Sequence, residues 1–289
     1  MRHSTSDEFW APQATGHRID AALALIRTEV RELIDHDPPL NSAEIYLNDH
    51  GANHLRSVLD HARCLVSSAY VPSFLATEQA VLCAAVWLHD IGLFKHAPGE
   101  DEAIVRREHA ERSATFVRRL HETNPGAVSR ELADMLAEIC LAHRRFYDLS
   151  QFAAGPRIPE VSGASVRGDL IAALLRIADA ADVGHGRTPA ALYAAWHDNI
   201  PAGSRAHWQA HSLVHASTVD PKTTEVIFHL VHDTDPGDPD LAALVVATVE
   251  DVDSTRKTLE HYSLRPWNIR FEQRGKYISP AAVYGSRIR

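Results

Sequence analysis

The sequence predicts a mainly α-helical protein with a small α+β portion towards its C-terminus. Apolar residues recur at helical spacing through most of the chain before residue 190. The pattern then changes, because residues 212–231 show β-branched alternation around Asp220-Pro221-Lys222, which is typical of a hairpin. Residues 240–262 again carry a helical pattern, and residues 267–273 carry that of a third strand.

The change of pattern predicts two domains. A helical domain covers residues 1–195, with its core in residues 45–190, and a small α+β subdomain covers residues 196–289. A chain of 289 residues is long enough to bury a sizeable core, in one large domain or two small ones.

Composition and charge restrict the expected partners. The chain is 45% apolar and 23% charged, which is ordinary for a soluble globular protein. Its net charge of −9 argues against bulk binding to nucleic acid or to an anionic membrane. That charge still permits a local basic pocket for a phosphorylated small molecule.

The cysteines and the N-terminus predict a cytoplasmic protein. Cys64, Cys83 and Cys140 are widely spaced among apolar or helical residues, as expected for reduced thiols. The first eight residues have no apolar signal core. All apolar runs are far shorter than the ~20 residues that a membrane helix needs.

The first helical segment follows a polar arm. Residues 1–14 predict irregular structure, and residues 15–36 place their apolar side chains on one helical face. Pro38-Pro39 ends this helix. The next helix begins close to His50 and runs past His61.

The second half of the helical domain follows from the same signals. A helix capped by Thr77 runs through an apolar stretch and stops at Gly92, before a loop over residues 93–100. Three further helices are predicted, over residues 101–121, from Ser129 to Arg145, and from Ser165 to Gly184. Residues 149–164 are rich in Gly, Pro and Ser and predict a loop.

The pair His89-Asp90 at the end of an apolar helix is the most informative feature. A charged carboxylate at the end of a buried element is costly unless it is neutralised, and His with Asp is a suitable ligand set for Zn, Mn or Fe. The dipeptide alone is weak evidence in a chain with 19 histidines. It also occurs at residues 36–37, 197–198 and 232–233, but there in polar or turn-rich surroundings.

Three histidines share one face of the preceding helix. His50 and His54 are four residues apart, and His61 follows seven residues later. A lone histidine on such a face is more often a hydrogen-bonded core residue than a ligand. Two at one-turn spacing, with His89-Asp90 on a later helix, favour metal ligation by His54 and leave His50 open. His61 lies roughly 10 Å further along and is less favoured.

Later helices also carry His or Asp at the end of an apolar face. His109 lies within the helix at 101–121, and His143 ends the apolar face of the next helix. Asp179 and Asp182 end the last helix, where a carboxylate opposes the helix dipole. Periodicity does not decide between these two acids. Converging helices that donate inward His and carboxylates are how bundles build metal sites.

The helix at 101–121 is also the most basic segment. A basic helix face is usually solvated surface, but the presence of His109 makes a phosphate-facing wall a competing interpretation. Lys95 and His96 lie just beyond the doublet, although a solvated loop is the commoner environment for such residues. The basic residues of the helix are Arg106, Arg107, Arg112, Arg118 and Arg119.

These motifs resemble the HD superfamily of metal-dependent phosphohydrolases, whose signature is His…His-Asp…Asp on a helical bundle. The resemblance covers about residues 45–190 and assigns His54 as the first His, His89-Asp90 as the doublet and Asp179 as the last Asp. It is greatest to the HD-CE-type branch. The segments that carry it are His50-Gly51-x-x-His54, Trp87-Leu88-His89-Asp90-Ile91-Gly92, Arg106-Arg107-Glu108-His109 and Leu175-Arg176-x-Ala178-Asp179.

The resemblance implies an HD-type helical bundle that holds two divalent metal ions, chosen from Mn, Fe, Zn, Ni and Mg. It implies that one ion is held by His54, His89, Asp90 and Asp179. It implies that the second is held by His109 and His143, with Asp90 as the bridging ligand. His50 is a further candidate ligand.

The resemblance also implies the activity, which is hydrolysis of a phosphoester, a nucleotide or a nucleotide-derived substrate, by a hydroxide that bridges the metals. The implied catalytic residues are Asp90, Lys95 and Arg107. The implied phosphate-binding residues are Arg106, Arg112, Arg144 and Arg187. Because members of the HD-CE-type branch occur with ATPase modules, an ATPase-type protein partner is expected.

Departures from the patterns of related enzymes narrow the range of expected substrates. No Gly-Tyr-Pro segment follows His143, and Arg144 replaces a second adjacent His, which does not favour cyclic-di-GMP. The doublet is followed by Ile91-Gly92-Leu93, so the His-Asp-x-x-Glu-Asp pattern of guanosine tetraphosphate hydrolases is absent.

Two other functions compete with hydrolysis. In the first, the bundle is a non-catalytic module that senses a nucleotide and acts through residues 196–289 or a partner. In the second, the metal is structural. This is least favoured, because structural sites prefer closed, Cys-rich ligand sets and these cysteines have no such spacing.

Overall fold

The structure is a computed structural model, and it describes residues 17–36, 49–67, 69–97, 99–152, 157–158, 164–235, 237–279 and 283. The predictions for residues 1–14 and Pro38-Pro39 lie outside these residues. The chain divides into two compact units, residues 1–44 with 72–175, and residues 45–71 with 176–289. The predicted domain boundary after residue 195 stays a prediction.

The α-helices are numbered in chain order. They are α1 (His17–His36), α2 (Ala52–Leu65), α3 (Ala76–Leu88), α4 (Glu102–Thr123), α5 (Arg130–Ala142), α6 (Gly168–Ala181), α7 (Ala190–Trp196), α8 (Ala202–Ser212), α9 (Pro239–Asp253) and α10 (Arg256–His261). Short 3-10 segments span Ile91–Phe94, Leu149–Gln151 and His185–Arg187. Helices α1, α3, α4 and α5 belong to the first unit, and α2 and α7 to α10 belong to the second.

The strands form two sheets. In the first unit, β1 (Arg157–Ile158) and β2 (Ala164–Ser165) make a short antiparallel pair. In the second unit, four strands lie in chain order: β3 (Val214–Asp220), β4 (Glu225–Leu230), β5 (Asn268–Gln273) and β6 (Lys276–Ile278). β4 and β5 are parallel because α9 and α10 form the crossover between them, whereas the other pairs are antiparallel. The predicted class, mainly α with a small α+β portion, is confirmed.

Helix α3 is the most buried element of the first unit. Residues 80–86 are each at most 2% exposed, so this helix is apolar all round rather than amphipathic. It packs against α1 and α5. α1 is amphipathic as predicted, with Ile19, Ile26 and Val30 buried on one face. α4 packs along α5 and over the 3-10 segment Ile91–Phe94.

The N-terminus of α3 differs from the prediction. The helix begins after Leu75, whose backbone N–H donates to the Glu78 carboxylate (3.0 Å). Thr77 is therefore not the cap, and its buried hydroxyl has no hydrogen-bond partner among the described residues. The cap of α5 is as predicted, because the Ser129 hydroxyl accepts the backbone N–H of Leu132 (3.1 Å).

Glu78 also fixes the start of α6. Its carboxylate is 1% exposed and accepts two hydrogen bonds from the guanidinium of Arg167, at 2.7 and 2.6 Å. The backbone N–H of Arg167 donates to the same carboxylate (3.2 Å). A buried carboxylate held in this bidentate way is compensated for the loss of water.

The sheet of the second unit covers an aromatic core. The rings of Phe228 and Phe271 lie 5.7 Å apart on the neighbouring parallel strands β4 and β5. Trp208 and Trp267 are each 1% exposed. α9 packs against α8 and β5, and α2 packs against β3. Phe228 alternates along β4 with half-buried residues, as the predicted hairpin requires.

Several elements differ from the sequence-based expectation. The segment 240–262 contains two helices, α9 and α10, separated by a turn at Ser254-Thr255. α6 begins at Gly168 rather than Ser165, because Ser165 pairs in β2. The sequence pattern does not predict α7, which is apolar but buries none of its residues. None of the described helices is long and apolar enough to cross a membrane.

Replacing Arg167 by methionine is expected to lower the free energy of unfolding by about 3 kcal/mol or more, because it leaves the Glu78 carboxylate buried without its cationic partner. Urea denaturation of the two proteins measures this difference. Arg130→Met is the matched control, since Arg130 is 80% exposed and lies 3.6 Å from Asp134. Equal losses in the two variants would contradict the prediction.

Candidate metal centre

The His89-Asp90 pair lies where α3 ends. His89 still has helical backbone angles, and Asp90 leaves the helix with φ −106° and ψ 5°. Both residues are buried, at 0% and 6% exposure. The helix dipole opposes a carboxylate at this end, so an ionised Asp90 requires a positive counterpart close by.

Gly92 brings this turn against the backbone of α4. A Cβ atom at position 92 would lie 2.0 Å from the carbonyl oxygen of His109 and 2.8 Å from the backbone nitrogen of Ser113, so a side chain does not fit. The N–H of Gly92 donates to the Ser113 hydroxyl (2.9 Å), which in turn donates to the carbonyl of His89 (2.8 Å). These contacts fix the position of the doublet relative to His109.

Three histidines of the first unit are held by the same type of hydrogen bond. In each, Nδ1 lies 2.5–2.8 Å from the carbonyl oxygen of the residue three positions earlier. A carbonyl only accepts, so Nδ1 carries a hydrogen, and in the neutral ring Nε2 carries the lone pair. This is the tautomer that binds a metal through Nε2. The pairs are His89 with Val86, His109 with Arg106 and His143 with Cys140.

The Asp90 carboxylate lies among these imidazoles. Its Oδ1 is 3.3 Å from His109 Nε2 and 3.6 Å from His143 Nε2. Its Oδ2 is 3.4 Å from His89 Nε2. One ligand atom from each of Asp90, His109 and His143 lies within 4.8 Å of the others. The two carboxylate oxygens therefore face different imidazoles.

The donor set of the first unit fits a divalent cation. Nε2 of His109 and Nε2 of His143 are 3.0 Å apart, and both face Asp90. Two lone pairs and a carboxylate in this arrangement repel one another unless a positive charge, a proton or a metal ion, lies among them. Imidazole nitrogen with carboxylate oxygen is a ligand set for Zn, Mn, Fe and Ni.

Cys140 does not extend this donor set. It is buried one turn before His143 on α5. Burial, with a smaller contribution from the negative charge of Asp90, raises the pKa of its thiol. A metal is bound by the thiolate rather than the thiol, so nitrogen and oxygen are the donors here.

The second unit holds His54 through Asp182. Nδ1 of His54 lies 2.7 Å from Oδ2 of Asp182, and the guanidinium of Arg187 donates to the same oxygen at 2.8 Å. The Ser57 hydroxyl donates to Oδ1 of Asp182 at 2.5 Å. Burial raises the pKa of Asp182, but the His54 hydrogen bond and the Arg187 charge outweigh it, so the pKa lies well below its usual range. Asp182 is therefore ionised and orients the His54 ring.

The two acids left open by helical periodicity lie on opposite sides of His54. Asp182 faces Nδ1, and Oδ1 of Asp179 lies 3.5 Å from Nε2. Nδ1 is already in contact with Asp182 and with the guanidinium of Arg187 (2.7 Å), so Nε2 is the ring nitrogen left for a metal. Asp179 therefore lies on the ligand side of the ring, and Asp182 lies on the positioning side.

The four-residue set implied by the resemblance draws on both units. His54 and Asp179 belong to the second unit, and His89 and Asp90 belong to the first. That these four side chains share one metal stays a prediction. The ring of His50 lies beside His54, with 5.4 Å between centroids, and its role as a ligand also stays a prediction.

The predicted phosphate-binding arginines of α4 contact carboxylates on or near their own helix. Arg112 is the strongest case, because its guanidinium lowers the pKa of Glu100 to about 2. Their binding to phosphate stays a prediction. It requires each arginine either to leave its glutamate or to contact the phosphate while it stays paired. The pairs are Arg106 with Glu102, Arg107 with Glu108, and Arg112 with Glu100 and Glu108.

The other predicted cations have different surroundings. Arg144 directly follows His143 and donates to the carbonyl of Arg107 (2.5 Å). Arg187 is buried against Asp182, so its charge serves that carboxylate. Lys95 is exposed, and its Nζ lies 5.0 Å from the centroid of the Phe116 ring. Of these, Arg144 is nearest in sequence to a candidate ligand.

Sequence reasoning did not identify the two serines that help to position the ligands. Ser113 and Ser57 support His89 and His54 through hydroxyl groups, and neither breaks the helical pattern around it. Ser113 follows His109 by four residues, which places both on one face of α4. That spacing, with the small size of serine, was the available signal.

The comparisons with known proteins identify the family. The family model HD-CE matches residues 9–262, which is most of the chain. The protein therefore belongs to the HD-CE family, as the motifs around His89-Asp90 predicted. No curated protein matches the sequence.

Gly92→Ala is expected to lower the free energy of unfolding by about 1–3 kcal/mol, because its methyl group collides with the backbone of α4 rather than with a mobile side chain. Urea denaturation measures the loss. Gly126→Ala is the control, since nothing lies within 4 Å of the added Cβ. If both alanine variants are equally stable, the close approach of Gly92 to His109 does not exist.

His109→Ala is expected to reduce metal bound per chain, because it removes one nitrogen from the set formed with Asp90 and His143. Metal content is measured by inductively coupled plasma mass spectrometry after reloading with manganese or iron. His121→Ala is the control on the same helix, since His121 bonds to the carbonyl of Val128. Unchanged metal content in His109→Ala would remove His109 from the ligand set.

Proposed function

We propose that the protein is a metal-dependent phosphohydrolase acting on a nucleotide or nucleotide-derived phosphoester. Membership of the HD-CE family supports an HD-type domain. The observation that carries the proposal is the position of Asp90. Its two oxygens face different imidazoles, His89 on one side and His109 with His143 on the other. A carboxylate in this position is suited to bridge two cations.

Each residue has a separate part in this proposal. Asp90 contributes charge to both sides, and the imidazoles contribute Nε2 lone pairs whose direction the carbonyl bonds fix. A bound pair of cations supplies a water molecule of lowered pKa and neutralises charge on the phosphoester. His54 and Asp179 complete the ligand set by analogy with the HD signature, with Asp182 holding His54 in position.

The positive charges that meet the phosphate are also part of the proposal. Arg144 is the leading candidate, because it directly follows the candidate ligand His143 and its guanidinium donates to the carbonyl of Arg107. Lys95 and Arg107 are exposed, so both can turn toward a bound anion. Arg106 and Arg112 contribute if their glutamate partners exchange with phosphate.

An ATPase-type protein partner and a location in the cytoplasm are further proposals. The partner follows only from the resemblance to the HD-CE-type branch. The location follows only from the widely separated cysteines. Co-purification with an ATPase encoded in the same organism tests the first, and cell fractionation tests the second.

Asp90→Asn is expected to abolish hydrolysis, with a loss of at least about 1000-fold, because the amide keeps the shape of the side chain but removes its charge. Initial rates are measured with manganese or iron on p-nitrophenyl phosphate, bis-p-nitrophenyl phosphate and a nucleotide panel. Asp134→Asn is the control, since Asp134 is 54% exposed and pairs with surface arginines.

Two outcomes of this assay change the assignment. Full metal-dependent turnover by Asp90→Asn would place the chemistry elsewhere. Tight nucleotide binding without turnover by the unmodified protein would favour the sensing module over the enzyme. In that case the metal content still reports whether the Asp90 cluster binds a cation.

A further inference from the structure

A cavity of about 360 Å³ lies wholly within the second unit, and His54 forms part of its wall. This volume falls in the usual range for small-molecule sites. α2 contributes Ser57 and His61, and β3 contributes His215 and Ser217. The wall therefore combines a candidate metal ligand with hydroxyl and imidazole groups.

The two hydroxyl groups of this wall offer acceptors rather than donors. The Ser57 hydroxyl donates to Oδ1 of Asp182, and the Ser217 hydroxyl donates to the carbonyl of Ala181, each at 2.5 Å. Because each hydroxyl has one hydrogen, what remains on both oxygens is acceptor capacity. His61 Nε2 lies 3.5 Å from the first and 3.3 Å from the second, so the three side chains form a connected group.

The charges on the wall oppose a phosphate. Asp49 and Asp182 are carboxylates, and the Arg187 guanidinium is bonded to Asp182. Asn53 donates its amide to Asp49 at 3.3 Å. Burial lowers the pKa of His61, which keeps that ring neutral at pH 7. A ligand rich in hydroxyl or amino donors suits these acceptors, and an anion does not.

A flat ring also lies in the wall. His215 stacks on His185 with 4.9 Å between the ring centroids and 15° between their planes. Both rings are exposed. His185 covers one face of His215, so a planar group on a ligand can stack on the pair. Hydroxyl acceptors together with an aromatic platform match the two parts of a nucleoside, its sugar and its base.

We propose that this cavity binds the ribose of a nucleoside phosphate, with the hydroxyl groups of the sugar donating to Ser57 and Ser217 and the base stacked on His215. The acceptors of the wall hold the sugar, and the phosphate lies toward His54, where the proposed function places a metal ion that would offset the charge of Asp182. This inference rests on the proposed function and extends it, because it assigns substrate recognition to the second unit. Ser57, His61, Ser217 and His215 become specificity residues rather than catalytic ones.

Ser217→Val tests the proposal directly. Valine removes the acceptor oxygen and adds volume to the cavity wall, and it is favourable in a strand. The expected result is weaker binding of unphosphorylated ribonucleosides, with a dissociation constant at least tenfold larger. It is measured by isothermal titration calorimetry with adenosine, guanosine, cytidine and uridine. Thr218→Val is the control, because Thr218 is the next residue of β3 and its hydroxyl contacts His229 instead of lining the cavity.

Folding is checked by thermal melting, and Ser217→Ala removes the acceptor without adding volume. A nucleoside that binds the unmodified protein, Ser217→Val and Thr218→Val equally would overturn the proposal, as would no nucleoside binding at all. Displacement of the nucleoside by ribose supports the sugar contact. If ribose does not compete at a hundredfold excess over the nucleoside, recognition of the sugar is excluded.

Hydrolysis separates this inference from the proposed function. Ser217→Val is expected to raise KM for nucleoside monophosphates at least tenfold and to leave kcat/KM for p-nitrophenyl phosphate within about twofold. A parallel loss on both substrates would make Ser217 a structural residue and end the proposal. Nucleoside binding without any hydrolysis would support the nucleoside site and contradict the proposed phosphohydrolase activity. Hydrolysis of p-nitrophenyl phosphate without nucleoside binding would support the activity and contradict the nucleoside site.

Discussion

The close approach of Gly92 to the backbone of α4 is the constraint on which the first unit's cluster depends. It allows the turn after α3 to lie against the carbonyl of His109, and Ser113 joins the same turn to the carbonyl of His89. Without this contact, the positions of the His89-Asp90 pair and of His109 would depend on two separate elements, and their relative position would be less precise. A metal site tolerates displacements of only about 0.5 Å, so backbone contact rather than side-chain packing has to supply the accuracy.

Three buried carboxylates have two different roles in the fold, orienting a neighbouring group or lying within the candidate metal site. Glu78 and Asp182 each meet a guanidinium, from Arg167 and Arg187, at hydrogen-bond distance. Both acids orient a neighbour, the start of α6 in one case and His54 in the other. Asp90 is surrounded by imidazole Nε2 atoms instead. The carbonyl bonds place a hydrogen of each ring on Nδ1 and so direct Nε2 toward the carboxylate. Among these three acids, Asp90 is the one whose contacts suit a metal ion.

The fold class and the candidate ligands followed from local patterns, whereas their surroundings did not. The apolar run that ends in His89-Asp90 can be recognised from twelve consecutive residues, 81–92, and the β-branched alternation of the hairpin is equally local. The partners of the arginines are different, because Arg112 pairs with Glu100 just before the start of its own helix and Arg187 is buried against Asp182. The sequence shows where the arginines are but not which carboxylate each of them pairs with.

The sequence by itself determined the helical character of the chain, the apolar faces of its helices and the His and Asp residues at their ends. Those properties depend on periodicity, which is local. Only the tertiary structure decided that Asp182 positions His54 while Asp179 lies beside Nε2, and that Ser57 and Ser217 line one cavity with His61. The contacts of His54 with Asp182 and of His61 with Ser217 join residues more than a hundred positions apart, and their geometry is set by packing that no single segment encodes.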